Sequence, residues 1–346
     1  MIITELTDSE CAEWDDYVRT APHGLPQHLS GWRHILYQTN RYETRYLLAR
    51  VNGQIAGILP LFFIRSPLMG STATTMPGGF CADDERVAQG LIEHGQAVAR
   101  RARINRFLLH DNRQRWPGPL HTTSDHVYWL VEMGSDESAL WSRLGNSIRR
   151  QVRIARKNGL TVVTDYQGDQ LGAFYDVLSH FTHQMGTPVF SRSFLENIIE
   201  TFPGGFNIVV VRQEERPVGA YFQLQMNDTV YGMWGGTLHQ YLSLRPVYLA
   251  YWHILQESLV QGYAYLDMGR SPVGSNASDY KRQWGGIARP VYQQVMAIGP
   301  EPSAAAPASQ IKTANKFQIV RQLWPKLPFP VAQYLGPKLR RHMPFA

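Results

Sequence analysis

The sequence predicts an α/β protein made of one unit used twice, each unit a mixed, mainly antiparallel sheet flanked by helices. Three observations carry this. First, Tyr46–Val51 and Ile55–Ile64 flank Asn52-Gly53, and Ile208–Arg212 and Pro217–Gln225 flank Glu214-Glu215, so each half contains a strand–turn–strand pair. Second, each pair is followed by a strand, a helix and another strand, an order that closes an antiparallel sheet with a parallel pair joined by a crossover helix. Third, Gly57 aligns with Gly219 and Gly78-Gly79 with Gly235-Gly236, an offset of about 160 residues that marks a duplication.

In chain order, Ile2–Leu6 reads as a strand and Glu10–Arg19 as a helix, and Pro26 opens a second helix running to about Thr39. After the hairpin come a strand near Ala73–Met76, a helix over Glu85–Arg103 and a strand over Phe107–Asp111. The second half supplies a strand at Val230–Gly236, a helix from Pro246 to Gly262 and a strand at Ala264–Met268. Between the halves, Glu137–Gly159 contains Ile148–Lys157, whose helical spacing places Arg149, Arg153 and either Arg156 or Lys157 on one face. That face is either solvated or a phosphate contact. Gly299–Ser309, with three Pro and four Ala, reads as a linker. The tail beyond it mixes Trp324, Phe329, Tyr334 and Phe345 with Lys326, Lys338, Arg340 and Arg341. It either packs back on the body or rests at an anionic membrane surface. The expected domains are 1–145, 146–298 carrying the active site, and 299–346 as linker and tail.

Composition sets further bounds. With 346 residues, 44% of them hydrophobic, the chain is long enough for two packed cores and is not disordered. A net charge of +6 suits contact with phosphates or an anionic surface without demanding a nucleic acid. Cys11 and Cys81 lack any metal or redox spacing, so both read as small core residues. His180 and His183 have a metal-compatible spacing but no third ligand, and no metal is expected. The first residues lack a basic region ahead of an apolar run, and no charge-free span approaches the ~20 residues that cross a bilayer. The cytoplasm, with the inner face of the membrane as a peripheral contact, is the expected compartment.

Chemistry concentrates in 263–286. Tyr263–Met268 reads as a strand, and Gly269 then starts a loop holding Arg270, Ser271, Asp279, Tyr280, Lys281 and Arg282. A loop at a strand end is a common seat of function. Arg270 offers a planar fork and Lys281 a mobile point charge, an anion-binding combination.

Here the residues resemble a family. Met185-Gly-Thr-Pro-Val189, Leu244-Arg-Pro246, Leu266-Asp-Met-Gly-Arg-Ser271, Tyr280-Lys281 and Trp284-Gly285 resemble the FemA/FemB/FemX-like tandem GNAT acyltransferases and their exopolysaccharide- and exosortase-associated relatives. Gly57-Ile-Leu-Pro-Leu61 and Arg153–Gly159 extend the resemblance, which runs from about Pro26 to Gln294. It implies two tandem GNAT domains and transfer of an aminoacyl or acyl group to an amine on a peptidoglycan or exopolysaccharide precursor. No cofactor would be tightly bound; aminoacyl-tRNA or an acyl-CoA or other acyl thioester would be co-substrate. The tRNA-dependent members often carry a coiled-coil arm, and no long heptad segment occurs in this chain.

On that resemblance Lys281 stabilises an oxyanion or phosphate, and Arg270 with Ser271 and Tyr280 binds substrate. Asp267 and Asp279 are the candidate bases, Asp267 also suiting a role in orienting Arg270. Trp234 suits an acceptor wall or a core aromatic. Arg245, at the start of a helix, is a candidate anion contact, as are Arg149 and Arg153. Neither Ser243–Val247 nor Cys81–Glu85 has the glycines of a pyrophosphate cradle. The first half ends in His110-Asp-Asn-Arg113 without a Gly-Arg-Ser loop and is expected to be scaffold. Two other readings compete: a GNAT N-acetyltransferase acting on a sugar or protein amine, and a non-catalytic protein binding tRNA, lipid or polysaccharide.

Overall fold

The computed structural model describes residues 1–67, 70–298 and 320–343. Contacts within the chain divide it into two units. The first holds Met1–Asp125, a segment beginning at Val291 and the chain from Tyr334 onward, and the second holds His126–Pro290 and Trp324–Gln333.

The first unit begins with β1 (Ile2–Glu5), α1 (Cys11–Thr20) and α2 (Trp32–Asn40). It continues through β2 (Glu43–Val51), β3 (Gln54–Ser66), β4 (Gly70–Thr74), the short β5 (Cys81–Ala82), α3 (Glu85–Arg101) and β6 (Arg106–Asn112). β3 is apolar and buried almost throughout, because both faces of its sheet are covered. Leu47, Ala49, Leu59 and Leu61 pack with Val87, Leu91 and Ile92 of α3. The alternate residue Tyr46 stacks on Trp14 of α1, with ring centroids 5.4 Å apart, as the two-residue period of a strand requires.

The second unit comprises β7 (His121–Glu132), α4 (Glu137–Arg143), α5 (Asn146–Lys157), β8 (Leu160–Asp165), α6 (Leu171–Gln184) and α7 (Arg192–Thr201). β9 (Phe206–Gln213), β10 (Arg216–Met226), β11 (Thr229–Thr237), α8 (Pro246–Val260), β12 (Tyr265–Pro272) and α9 (Asn276–Gln283) follow. α6 and α7 cover one face, where Phe174 and Phe206 meet Phe222. On the other, α5 and α8 join a core containing Val209, Val211, Val218 and Val230. Ile148, Val152 and Ala155 are the buried side of α5, which leaves Arg150, Arg153 and Arg156 exposed and Arg149 half-buried.

With β13 (Ile287–Ala297), the two sheets have the same order. The first runs β1-β2-β3-β4-β6-β13 and the second β8-β9-β10-β11-β12-β7. All neighbours are antiparallel except β4 with β6 and β11 with β12. The duplication expected from the glycine pattern is therefore a duplication of topology.

Three expectations change. The boundary near residue 145 gives way to interleaved units: β7, which precedes the second half, pairs with β12, and β13, which follows that half, pairs with β6. The loop expected after Met268 is instead a continuing strand to Pro272, then α9. Ser275 caps α9 by accepting a hydrogen bond from Ser278 N. Lastly, the tail is structured where described. Trp324 is buried and α10 (Phe329–Arg340) follows it, while the linker at 299–309 lies outside the described residues.

Candidate active site

In the second unit, the parallel ladder of β11 with β12 joins Thr229–Tyr231 to Tyr265–Asp267 and then stops. Both strands run on, β11 paired with β10 and β12 with β7. Each also bulges at the parting. On β12 the register jumps between Asp267 and Arg270, and on β11 it shifts opposite Phe222 and Gln223. Bulges re-aim backbone and side chains, and they are common beside active sites. Gly269 makes this one possible: its φ is +74°, and a Cβ there would lie 3.2 Å from Gly232 O. Asp267, buried beneath, accepts the Gly269 N–H at 2.8 Å and holds the turn.

The two carbonyls released by the bulge meet Lys281 of α9. Its Nζ donates to Gly269 O at 3.0 Å and Arg270 O at 2.9 Å. An ammonium has three donors, so one N–H has no protein partner among the described residues. Burial drives the Lys281 pKa down from 10.5 to about 8; the neighbouring Asp267 charge opposes the fall and the Arg270 charge adds to it. A lysine in this state can donate to a developing oxyanion at neutral pH and loses that capacity in mild alkali.

Two further buried polar atoms near the bulge, Trp129 Nε1 of β7 and Ser271 Oγ of β12, have no protein partner among the described residues, and the buried Tyr280 OH of α9 has only the indole of Trp284, just past that helix, beside it as a donor. Such atoms are uncommon in folded proteins and call for a ligand or water. Tyr280 sits in an aromatic group, its ring centroid 5.4 Å from Tyr248, 5.8 Å from Tyr251 and 6.2 Å from Trp284. Burial pushes the Tyr280 hydroxyl well above the usual phenol range and Tyr251 up to about 12, so both stay neutral donors at physiological pH.

The structure thus gathers Asp267, Arg270, Ser271, Tyr280 and Lys281 at one place. Asp279 differs: it is exposed on α9 and pairs with Arg282 at 3.1 Å, nearly opposite Lys281 on the helix. Trp234 lies half-buried on the α6–α7 side among Phe190, Phe194 and Phe222, at 5.5, 5.6 and 5.9 Å. Arg245 caps α8 in a left-handed conformation and is exposed, its Nη1 3.5 Å from Leu242 O. Pro246 has no N–H and the Tyr248 N–H is spent on Arg245 O, so this helix end offers few donors to a phosphate. On α5, Arg149 donates to Asn146, and the Arg153 guanidinium lies 5.7 Å over the Trp141 ring.

Trp129 and the group of Tyr248 and Tyr251 are additions. The run Val127-Tyr-Trp-Leu-Val131 is a β-branched and aromatic signal that points to β7. In the first unit the corresponding bulge, between Leu109 and Asn112, carries Asp111 at φ +51° in place of glycine. Nearby, His28 Nδ1 and Cys81 Sγ are 3.2 Å apart and buried. Desolvation lowers the histidine to about 3 and raises the thiol, so neither ionises. His180 stacks on Phe329 at 3.8 Å and His183 Nε2 contacts Leu327 O at 3.0 Å; among the described residues no cluster could hold a metal.

Residues 142–282, which include Lys281 and its surroundings, match the family described as Acetyltransferase (GNAT) domain. A search of curated proteins finds no match. Among solved structures, FemX superposes with a TM-score of 0.65 at 14% identity, over 85% of this chain and 97% of that one. L-PGS from Bacillus licheniformis gives 0.55 at 10%, over 91% and 98%. A tandem GNAT protein from the clavulanic acid biosynthesis pathway gives 0.55 at 10%, over 87% and 99%. At such identities the likeness is one of fold, and the fold is α/β with GNAT-like units.

Proposed function

We propose that the protein is an N-acyltransferase that moves an acyl or aminoacyl group from an activated ester or thioester to an amine of a cell-envelope component. The observation that carries this is Lys281: a depressed-pKa ammonium with one free donor, held where β11 and β12 part, within the stretch that matches an acetyltransferase family. The envelope acceptor rests on the FemA/FemB/FemX-like motifs and on fold neighbours that include the C-terminal domain of a putative lysylphosphatidylglycerol synthetase from Agrobacterium fabrum, at a TM-score of 0.57 and 10% identity.

The reaction needs no enzyme-linked intermediate. The amine nitrogen attacks the acyl carbonyl, a C–N bond forms, and the carbonyl oxygen becomes an oxyanion to which Lys281 donates. Collapse breaks the C–O or C–S bond, and the proton lost by the amine ends on the departing hydroxyl or thiol. One such oxyanion donor is worth roughly a hundred- to a thousandfold in rate. Arg270 anchors an anionic group of the substrate, and the neutral donors Ser271, Tyr280, Trp129 and Trp284 orient polar groups. Asp267 positions the bulge and tunes Lys281. Incubating the protein with acyl-CoAs or aminoacyl-tRNA and with nucleotide- or lipid-linked sugar and peptide acceptors, then detecting N-acyl product by mass spectrometry, tests the proposal. Failure of every donor to yield an amide would reject it.

A further inference from the structure

The chain segregates its charge. Of 34 Lys and Arg, seven follow Glu301, and none of the 28 Asp and Glu do, so the chain up to that residue carries a net −1 and the remainder all of the excess. In the described part of this basic segment, α10 is held by one side: Ala332, Gly336 and Arg340 are buried, and Phe329 stacks on His180. The opposite stripe, at spacings of three and four residues, presents Val331, Tyr334, Lys338 and then Arg341. Val331 is 42% exposed and Tyr334 67%, and Leu323, 55% exposed, lies just ahead with exposed Lys326.

We infer that this stripe of α10, with Lys326, seats the chain on an anionic lipid surface. Aliphatic side chains turned outward beside basic ones fit the boundary between headgroups and acyl chains, where apolar burial and attraction to anionic lipid act together. A nucleic acid fits less well. It offers nothing to Val331 or Leu323, and the Lys338 ammonium, 3.6 Å from the Tyr334 ring centroid, covers the face on which a base would stack.

The test is flotation of the full chain with vesicles of phosphatidylcholine alone or with about 30% phosphatidylglycerol, at about 0.1 M salt, where exposed charges still act over ~10 Å. Binding is expected only with the anionic lipid. Lys326→Gln with Lys338→Gln should weaken it about 25-fold, at roughly fivefold per charge. Val331→Ser with Tyr334→Ser should weaken it too, and Arg19→Gln, on the first unit's surface, should not. All these positions are exposed, so the variants stay folded. Equal binding to both vesicles, or to neither, would overturn the inference. So would displacement by total tRNA combined with indifference to the Val331/Tyr334 change, which would assign the stripe to nucleic acid.

Discussion

Lys281→Met removes a buried ammonium while keeping the length of the side chain, and its consequences for stability follow from the structure. The folded chain holds the Lys281 proton to about pH 8 and the unfolded chain to 10.5. At about 1.4 kcal/mol per factor of ten, the folded state carries a penalty of about 3 kcal/mol at pH 7. Between pH 8 and 10.5 the unfolded chain binds more protons, so wild-type stability rises with pH as the penalty is relieved. Methionine carries no such penalty, but it leaves Gly269 O and Arg270 O without their donor, at about 1–1.5 kcal/mol each. The variant should therefore lie within about 1 kcal/mol of wild type at pH 7 and fall about 2 kcal/mol below it at pH 10. Urea denaturation of both proteins at the two pH values measures this, all other titrating groups being shared. A stability difference that is the same at pH 7 and pH 10 would refute the reasoning, because it would mean that no charge is strained there.

Gly269→Ala should cost about 1–2 kcal/mol by urea denaturation, since an L-residue is placed in the left-handed region, and should lower activity by moving both carbonyls that hold Lys281. Asp267→Asn should shift the alkaline limb of the pH–rate profile downward, because the aspartate charge raises the Lys281 pKa; an unchanged or higher midpoint would contradict that placement. CoA should give little thermal stabilisation, as Pro246 lacks an N–H and Asp84 caps the corresponding helix α3 by accepting from Val87 N. A saturable shift approaching the ~2.7 kcal/mol expected at a hundred times Kd would show that a pyrophosphate is held elsewhere.

Much of the architecture was legible because both halves spell it out in local patterns: hairpins around Asn52-Gly53 and Glu214-Glu215, and crossover helices opening after Asp84 and at Pro246. What escaped was non-local. β7 and β13 each follow one half in sequence and complete the other half's sheet, and no periodicity within a segment states its partner. The motif Gly269-Arg-Ser with Tyr280-Lys281 marked the site, yet read as loop, since a glycine that permits a bulge looks like a glycine that ends a strand. Helix α9 explains Asp279: two residues from Lys281 in sequence is nearly half a turn around the helix. Arg245 was placed correctly at a helix start, but whether that end had donors to offer depended on Pro246 and on a Tyr248–Arg245 backbone bond that only the folded chain shows. Of the buried hydroxyl and indole groups near the bulge, Ser271, Tyr280 and Trp284 fall within the recognisable motif, whereas Trp129 reaches the site only because β7 pairs with β12, which no local pattern states.

The most direct test of the central claim is the rate of amide formation by wild type and Lys281→Met from pH 6 to 9.5, with a donor and acceptor found by product mass. The account predicts a wild-type rate that falls with a midpoint near pH 8, where the Lys281 ammonium is lost. It predicts a folded variant slower by roughly a hundred- to a thousandfold, without that limb. A Lys281→Met protein that forms the amide at the wild-type rate would contradict it.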